Sequence, residues 1–178
     1  VNNQLTRRNE PPMMGVLMSN KIWGISIAAA LSVASISAAM AETKELWSLG
    51  GFMHPESVYE DAANKVLYVS NLNGAPTDKD GNGFISKVGM DGKLEALKWI
   101  EGGLNAPKGM VMNGGKLYVS DIDQLIEIDA AAGKITASYP AEGAVFLNDL
   151  ALDEAGNVYV SDIAKRKIWQ LKDGKMAV

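Results

Sequence analysis

The chain is predicted to be an all-β protein of the propeller class, on two repeated marks and one absence. The turns Asp91-Gly92-Lys93, Ala132-Gly133-Lys134 and Asp173-Gly174-Lys175 set glycines at positions 92, 133 and 174, an equal spacing both times. The run Leu117-Tyr118-Val119-Ser120-Asp121 returns at the same spacing as Val158-Tyr159-Val160-Ser161-Asp162. Leu67-Tyr68-Val69-Ser70-Asn71 is an earlier copy, set further ahead of the second than the second is of the third. Tyr118 to Gly133 and Tyr159 to Gly174 are equal intervals, while Tyr68 to Gly92 is longer, so the whole excess lies between those marks of the first copy. Beyond position 42 no window keeps the apolar period of a helix. A period of about 41 residues built from short strands and glycine turns marks propeller blades. A plain antiparallel sandwich is the alternative, but its strands have no reason to keep a strict repeat.

Each copy reads as four strands. In the second, Gly109 to Met112 is an apolar run and Asn113-Gly114-Gly115 a turn. Lys116 to Ser120, Leu125 to Ile128 and Lys134 to Tyr139 follow as β-branched and aromatic strands. The third copy repeats this with Leu150 to Leu152, Asn157 to Ser161, Lys167 to Leu171 and a fourth strand reaching Val178.

Ahead of the repeats lies an export signal. Lys21 supplies a positive n-region, Ile22 to Ile36 is apolar and small, and Ala39-Met40-Ala41 offers a cleavage site before Glu42. Ser26, Ser32 and Ser35 dilute the run below what a membrane anchor requires. Residues 1–17 read as an upstream extension, with the start at Met18, Met13 or Met14, residues 18–41 as the signal peptide, and residues 42–178 as a partial propeller. The expected location is the periplasm or the exterior.

Cleavage after Ala41 takes the formal net charge from −4 to −6, because Arg7, Arg8, Lys21 and Glu10 leave together. An acidic chain without a basic run argues against nucleic acid and anionic membranes as partners. With no cysteine there is no disulfide frame, zinc finger or thiol nucleophile. His54 is the only histidine, which excludes a multi-histidine metal site, and no G-x-S-x-G elbow is present to hold a catalytic serine.

The mature length holds about three blades, whereas propellers have about four to eight. Glu45-Leu46-Trp47-Ser48-Leu49 falls where the repeat places an outer, fourth strand, the kind that completes a last blade and ties a ring shut. The sequence therefore reads as the N-terminal half of a larger propeller. The alternative is a three-blade protomer closing a six-blade ring as a dimer, and unpaired edges favour oligomers in either case.

Propeller topology places two classes of connection on one face. One holds His54-Pro55-Glu56, Ala106-Pro107-Lys108 and Leu147-Asn148-Asp149; the other holds Asn71, Asp121, Asp123, Asp162 and the extra segment of the first copy. The opposite face receives turn residues only, such as Glu154-Ala155-Gly156. A small-molecule site is expected on the first face.

Glu56-Ser57-Val58-Tyr59-Glu60, followed by Lys65-Val66-Leu67-Tyr68-Val69, resembles the opening motif of the gluconolactonase family, which includes senescence marker protein and luciferin-regenerating enzyme. Phe146-Leu147-Asn148-Asp149 with Asp153-Glu154-Ala155-Gly156 is similar to the family's Asn-Asp-Gly segment and the turn after it. The family's proline after the Glu-Ser pair is absent, and Leu150 stands in place of its glycine. The resemblance implies a six-bladed propeller and a divalent-metal-dependent lactone hydrolase, with calcium or zinc as the ion. It further implies Glu56 as the first metal ligand, Asn148 as a substrate-facing or metal-proximal amide, and Asp149 beside it.

Such an ion polarises a lactone carbonyl and acidifies a bound water. Plainer roles compete: Glu56 as a solvated acid at a strand start, Asn148-Asp149 as an Asx turn, Asp121 and Asp162 as per-blade acceptors for loop amides. His54, before a proline, reads as a rim-packing residue rather than a base. A second metal candidate is Asp78-Lys79-Asp80-Gly81-Asn82-Gly83-Phe84-Ile85-Ser86, which fits the first nine positions of a calcium loop through Asp78, Asp80, Asn82 and Ser86. Gly89 holds the place of its bidentate acid, and hairpin chemistry explains the glycines equally. Two functions stay open: an exported metal-dependent hydrolase of a sugar lactone or similar cyclic ester, and a non-catalytic propeller binding a small ligand or protein on the channel face.

Overall fold

A computed structural model describes residues 43–178. The expected extension (1–17) and the expected signal peptide (18–41) lie outside those residues. Among the described residues there are twelve strands and no helix, arranged as three antiparallel four-stranded sheets, each taken in chain order. The first sheet contains β1 (Pro55–Asp61), β2 (Val66–Asn71), β3 (Phe84–Gly89) and β4 (Leu94–Glu101). The second contains β5 (Pro107–Asn113), β6 (Lys116–Asp121), β7 (Gln124–Asp129) and β8 (Lys134–Pro140). The third contains β9 (Leu147–Leu152), β10 (Val158–Asp162), β11 (Lys167–Lys172) and β12 (Lys175–Ala177). β5 packs against β1 on one side and β9 on the other, so the first strands of the sheets gather side by side. These are three blades of a β-propeller.

The repeat has a local cause at its turns. Gly92, Gly133 and Gly174 all take positive φ, at 80°, 61° and 73°, where a β-carbon is strained. Between blades, the period-2 alternation of each strand feeds two cores. Leu117 and Val119 of β6 join Tyr68, Ile85 and Ile100 of the first blade. Tyr118, between them in sequence, joins Val158, Val160 and Trp169 of the third. A central blade is thus apolar on both faces, the condition for radial stacking.

Glu45 to Leu49 does not form the expected strand, since residues 43–52 pair with no sheet. Its position is nonetheless that of an outer strand. Trp47 lies against Gly92, where a β-carbon would meet the ring at 2.6 Å, and its Nε1 donates to Met90 O at 3.2 Å. Trp99 of β4 stands over Gly133 in the same relation, 3.2 Å from a β-carbon placed there.

Candidate functional site on the inner strands

Each inner strand carries an irregularity at the same height. Pairing slips between Pro55 and Ser57 in β1, between Pro107 and Met110 in β5, and opposite Val160 to Asp162 in β9, where Leu147 and Leu150 are the flanking partners. The extra residues are therefore Glu56, the Lys108-Gly109 pair and the Asn148-Asp149 pair. A bulge bends its strand and re-aims the side chain at the bend, and such bulges collect beside binding sites.

The repeated Ser-Asn/Asp ending of each second strand holds these bulges in place. Ser57 N donates to Ser70 Oγ at 3.0 Å, Asp149 N donates to Ser161 Oγ at 3.1 Å, and Ser120 Oγ donates to Asn148 O. The residue after each serine gathers the loop that enters the inner strand. Asn71 Oδ1 accepts from Met53 N; Asp162 accepts from Val145 N, Phe146 N and Lys165 N. Asp121, fully buried, accepts from Ala106 N at 2.7 Å, from Asn105 N and Nδ2, and from Gln124 Nε2. Asp121 and Asp162 are structural acceptors in the second and third blades, and the Asn71 amide takes that place in the first.

Lys108, which the sequence placed on this face only as part of Ala106-Pro107-Lys108, is a buried cation at the bulge of β5. It is 1% exposed, its Nζ donates to Ala106 O at 2.8 Å, and it lies 4.8 Å from the Phe146 ring centroid. Burial lowers its pKa, while the charges of Asp121 and Glu56 pull the other way. Glu56, open to solvent, is raised above the ordinary carboxylate range, first by lost hydration and then by the like charge of Asp149, against the lowering pull of Lys108. Glu56, Lys108 and Asp149 therefore share one electrostatic neighbourhood drawn from three blades. The signal for Lys108 was legible: Ala106-Pro107-Lys108 stands in line with His54-Pro55-Glu56.

Asn148 is half-buried and Asp149 exposed, and the bonds that fix them use their backbone. Glu56, Asn148 and Asp149 together are hard oxygen donors, which suit calcium better than zinc in a chain with a single imidazole. Among the described residues no three His, Asp or Glu side chains converge as an ion would require. His54 is exposed instead of packed against the rim, with φ at 52° and its carbonyl accepting from Leu72 N.

Asp78, Asp80 and Asn82 fall in the connection between β2 and β3. Both carboxylate oxygens of Asp80 accept from Asn82, while Gly81 N donates to the Asn105 side chain. Ser86, the ninth position of the supposed calcium loop, is buried in β3 between Asn71 and Leu97 O. Lys79 pairs with Asp123 across the blade seam. The loop thus straps the first blade to the second beside the site.

The fold class is now defined: three blades of a propeller whose inner-strand bulges gather acid, base and amide on one face. No family model matches the chain, and no curated protein does. Among solved structures, a protein of the nidogen/laminin complex is similar at 17% identity and a TM-score of 0.54, over 67% of this chain and 43% of that one. Luciferin-regenerating enzyme is similar at 17% identity and a TM-score of 0.53, over 70% of this chain and 44% of that one. The likeness shows the propeller fold, and the chain spans less than half the length of either relative.

Proposed function

We propose that the chain carries part of the active rim of an exported, metal-dependent hydrolase acting on a sugar lactone or a similar cyclic ester. The observation that supports this is the placement of Glu56, Lys108 and Asn148-Asp149 on bulges of three adjacent inner strands. A divalent cation, calcium foremost, would be held by Glu56 and Asp149 with the Asn148 amide, and it supplies Lewis acidity when bound. Of the chain's own groups, Glu56 has its pKa raised, first by lost hydration and then by the like charge of Asp149, a repulsion that a bound cation would relieve. Asn148 orients a hydroxyl or carbonyl oxygen of the ligand. Lys108, held under the surface by Ala106 O, provides fixed positive charge for an ester oxygen that gains negative character. The luciferin-regenerating enzyme among the similar structures agrees with this reading.

A second reading is a ligand-binding propeller without chemistry. It is favoured by Lys108 itself, whose ammonium near Glu56 opposes a cation. Calorimetric titration of calcium and zinc into wild type and Glu56→Gln, run beside lactone hydrolysis, separates the two. Loss of ion binding and turnover together supports the hydrolase; wild-type ion affinity in the variant removes it. Export is tested apart from this, by sequencing the N-terminus of secreted protein: retention of Met18 or Ser19 would sink it.

A further inference from the structure

The seam between the first and second blades holds a cavity on the face opposite the bulges, framed by the turns that follow β1 and β7. Its volume is about 360 Å³, and Asn64, Tyr68, Lys87, Glu95, Met112 and Ala131 line it. All six belong to the first two blades, so both walls are built from residues well inside the chain.

The repeat supplies its own comparison. Tyr68, Tyr118 and Tyr159 hold one place in the second strands, opposite Lys87, Glu127 and Gln170 of the third strands. In the third blade the Tyr159 hydroxyl donates to Asp153 at 3.1 Å and accepts from Gln170 Nε2 at 3.2 Å. In the second, Glu127 already accepts from Lys116, Thr136 and Tyr139. The first blade differs. Tyr68 is 2% exposed, with its ring 4.6 Å from that of Trp99, yet its hydroxyl bonds to no protein group among the described residues. A buried side chain with an unpaired hydroxyl aimed into a cavity calls for a partner. Lys87 pairs instead with Glu95 at 3.1 Å, which leaves protons on the ammonium and lone pairs on the carboxylate. Asn64 gives its Nδ2 to Asp61, which leaves its amide oxygen as an acceptor.

We propose that this cavity binds a neutral polyhydroxy ligand, a single sugar ring or a polyol of that size, independently of the rim around Glu56. An ammonium and a carboxylate side by side fit two adjacent hydroxyls, one accepting from Lys87 while the other donates to Glu95. Tyr68 and the Asn64 oxygen take a third hydroxyl, and Met112 covers a C–H face. An anion would meet Glu95, with Asp61 behind Tyr68, and a cation would meet Lys87. An apolar ligand would strip water from the ion pair and replace none of its bonds. The volume falls within the range of about 300–1,000 Å³ that small-molecule sites occupy.

Saturation-transfer NMR on the 178-residue chain should show D-glucose in contact with the protein. D-glucuronate and D-glucosamine, charged forms of the same ring, should bind about tenfold more weakly. Tyr68→Phe should weaken glucose about tenfold and leave the melting temperature equal or higher, because the hydroxyl it removes has no protein partner to lose. Ala131→Tyr, at an exposed turn, should block the mouth and abolish the signal with an unchanged circular dichroism spectrum. Glu56→Gln should bind glucose as wild type does, which separates this site from the hydrolase reading. Absence of glucose contact overturns the proposal, as does binding that survives both Tyr68→Phe and Ala131→Tyr. Equal binding of the charged sugars overturns the neutral ligand class. Loss of glucose in Glu56→Gln puts the sugar on the inner rim and overturns the separate site, and a Tyr68→Phe chain that melts earlier shows the hydroxyl bonded within the fold and overturns it too.

Discussion

Gly109 on β5 lies so close to Asn148 on β9 that a β-carbon at 109 would stand 2.6 Å from the Asn148 carbonyl oxygen. The neighbouring Asp149 Cα would be 3.0 Å away, so the obstacle is backbone and cannot swing aside. Inner strands pack this tightly only where one of them lacks a side chain. Gly109→Ala should therefore separate β5 from β9, cost about 1–3 kcal/mol, and weaken ligand binding at Asn148. Urea unfolding and ligand titration on the same variant check both effects.

Asp121 anchors the loop that leads into Lys108, with four donors on one buried carboxylate. Replacing it by alanine orphans buried amides, and a loss of about 2–4 kcal/mol is expected. Asp121→Asn should lose less, because one amide oxygen still accepts. In both variants the urea midpoint should move while the slope stays constant.

Lys108 should behave in the opposite way. Its pKa is depressed in the folded protein, so its charge is a burden that is fully present below the folded pKa and relieved as pH rises toward the unfolded value. Lys108→Met should raise stability at neutral pH by about 1 kcal/mol and abolish ligand binding or turnover. A variant that unfolds earlier than wild type would show the lysine to be structural.

Glu56 carries the same logic with reversed charge. A raised folded pKa means that stability falls as pH rises from the ordinary carboxylate value through the raised one. Glu56→Gln should leave the melting temperature equal or higher at neutral pH and flatten that part of the pH profile. Thermal melts of both proteins across the acid to neutral range measure it.

Glu127 gives the acid limb. Burial raises its pKa, but bonds from Lys116, Tyr139 and Thr136 outweigh burial and hold it below the ordinary value. Tyr139 is pushed up to about 12, first by burial and then by its bond to Glu127. Glu127 therefore contributes stability above the unfolded carboxylate pKa, and that contribution is lost as pH falls through the folded value. Glu127→Gln should destabilise the protein at neutral pH and show a shallower loss on acidification, read by melts between neutral pH and about pH 3.

What the sequence determined by itself is what repeats. Blade count, strand order, the turn glycines and the face on which the inner-strand bulges lie all follow from the equal spacing of the copies. Each depends on local backbone preference, such as positive φ at Gly92, or on alternation along one strand. The roles of Asp121 and Asp162 were legible for the same reason, since a residue recurring at every strand end serves every blade. The tertiary structure alone decided which residues lie together. Glu56, Lys108 and Asp149 are far apart in sequence and meet only because three bulges stand at one height on adjacent strands. Lys108 looks like an ordinary solvated lysine until β5 is buried between β1 and β9. Trp47 shows the converse: its segment has the composition of a strand, yet it pairs with no strand and lies against the first blade through side chains, Trp47 at Gly92 and Trp47 and Leu49 beside Val58 and Leu67. Pairing is a property of two chain segments, so one segment's sequence cannot settle it.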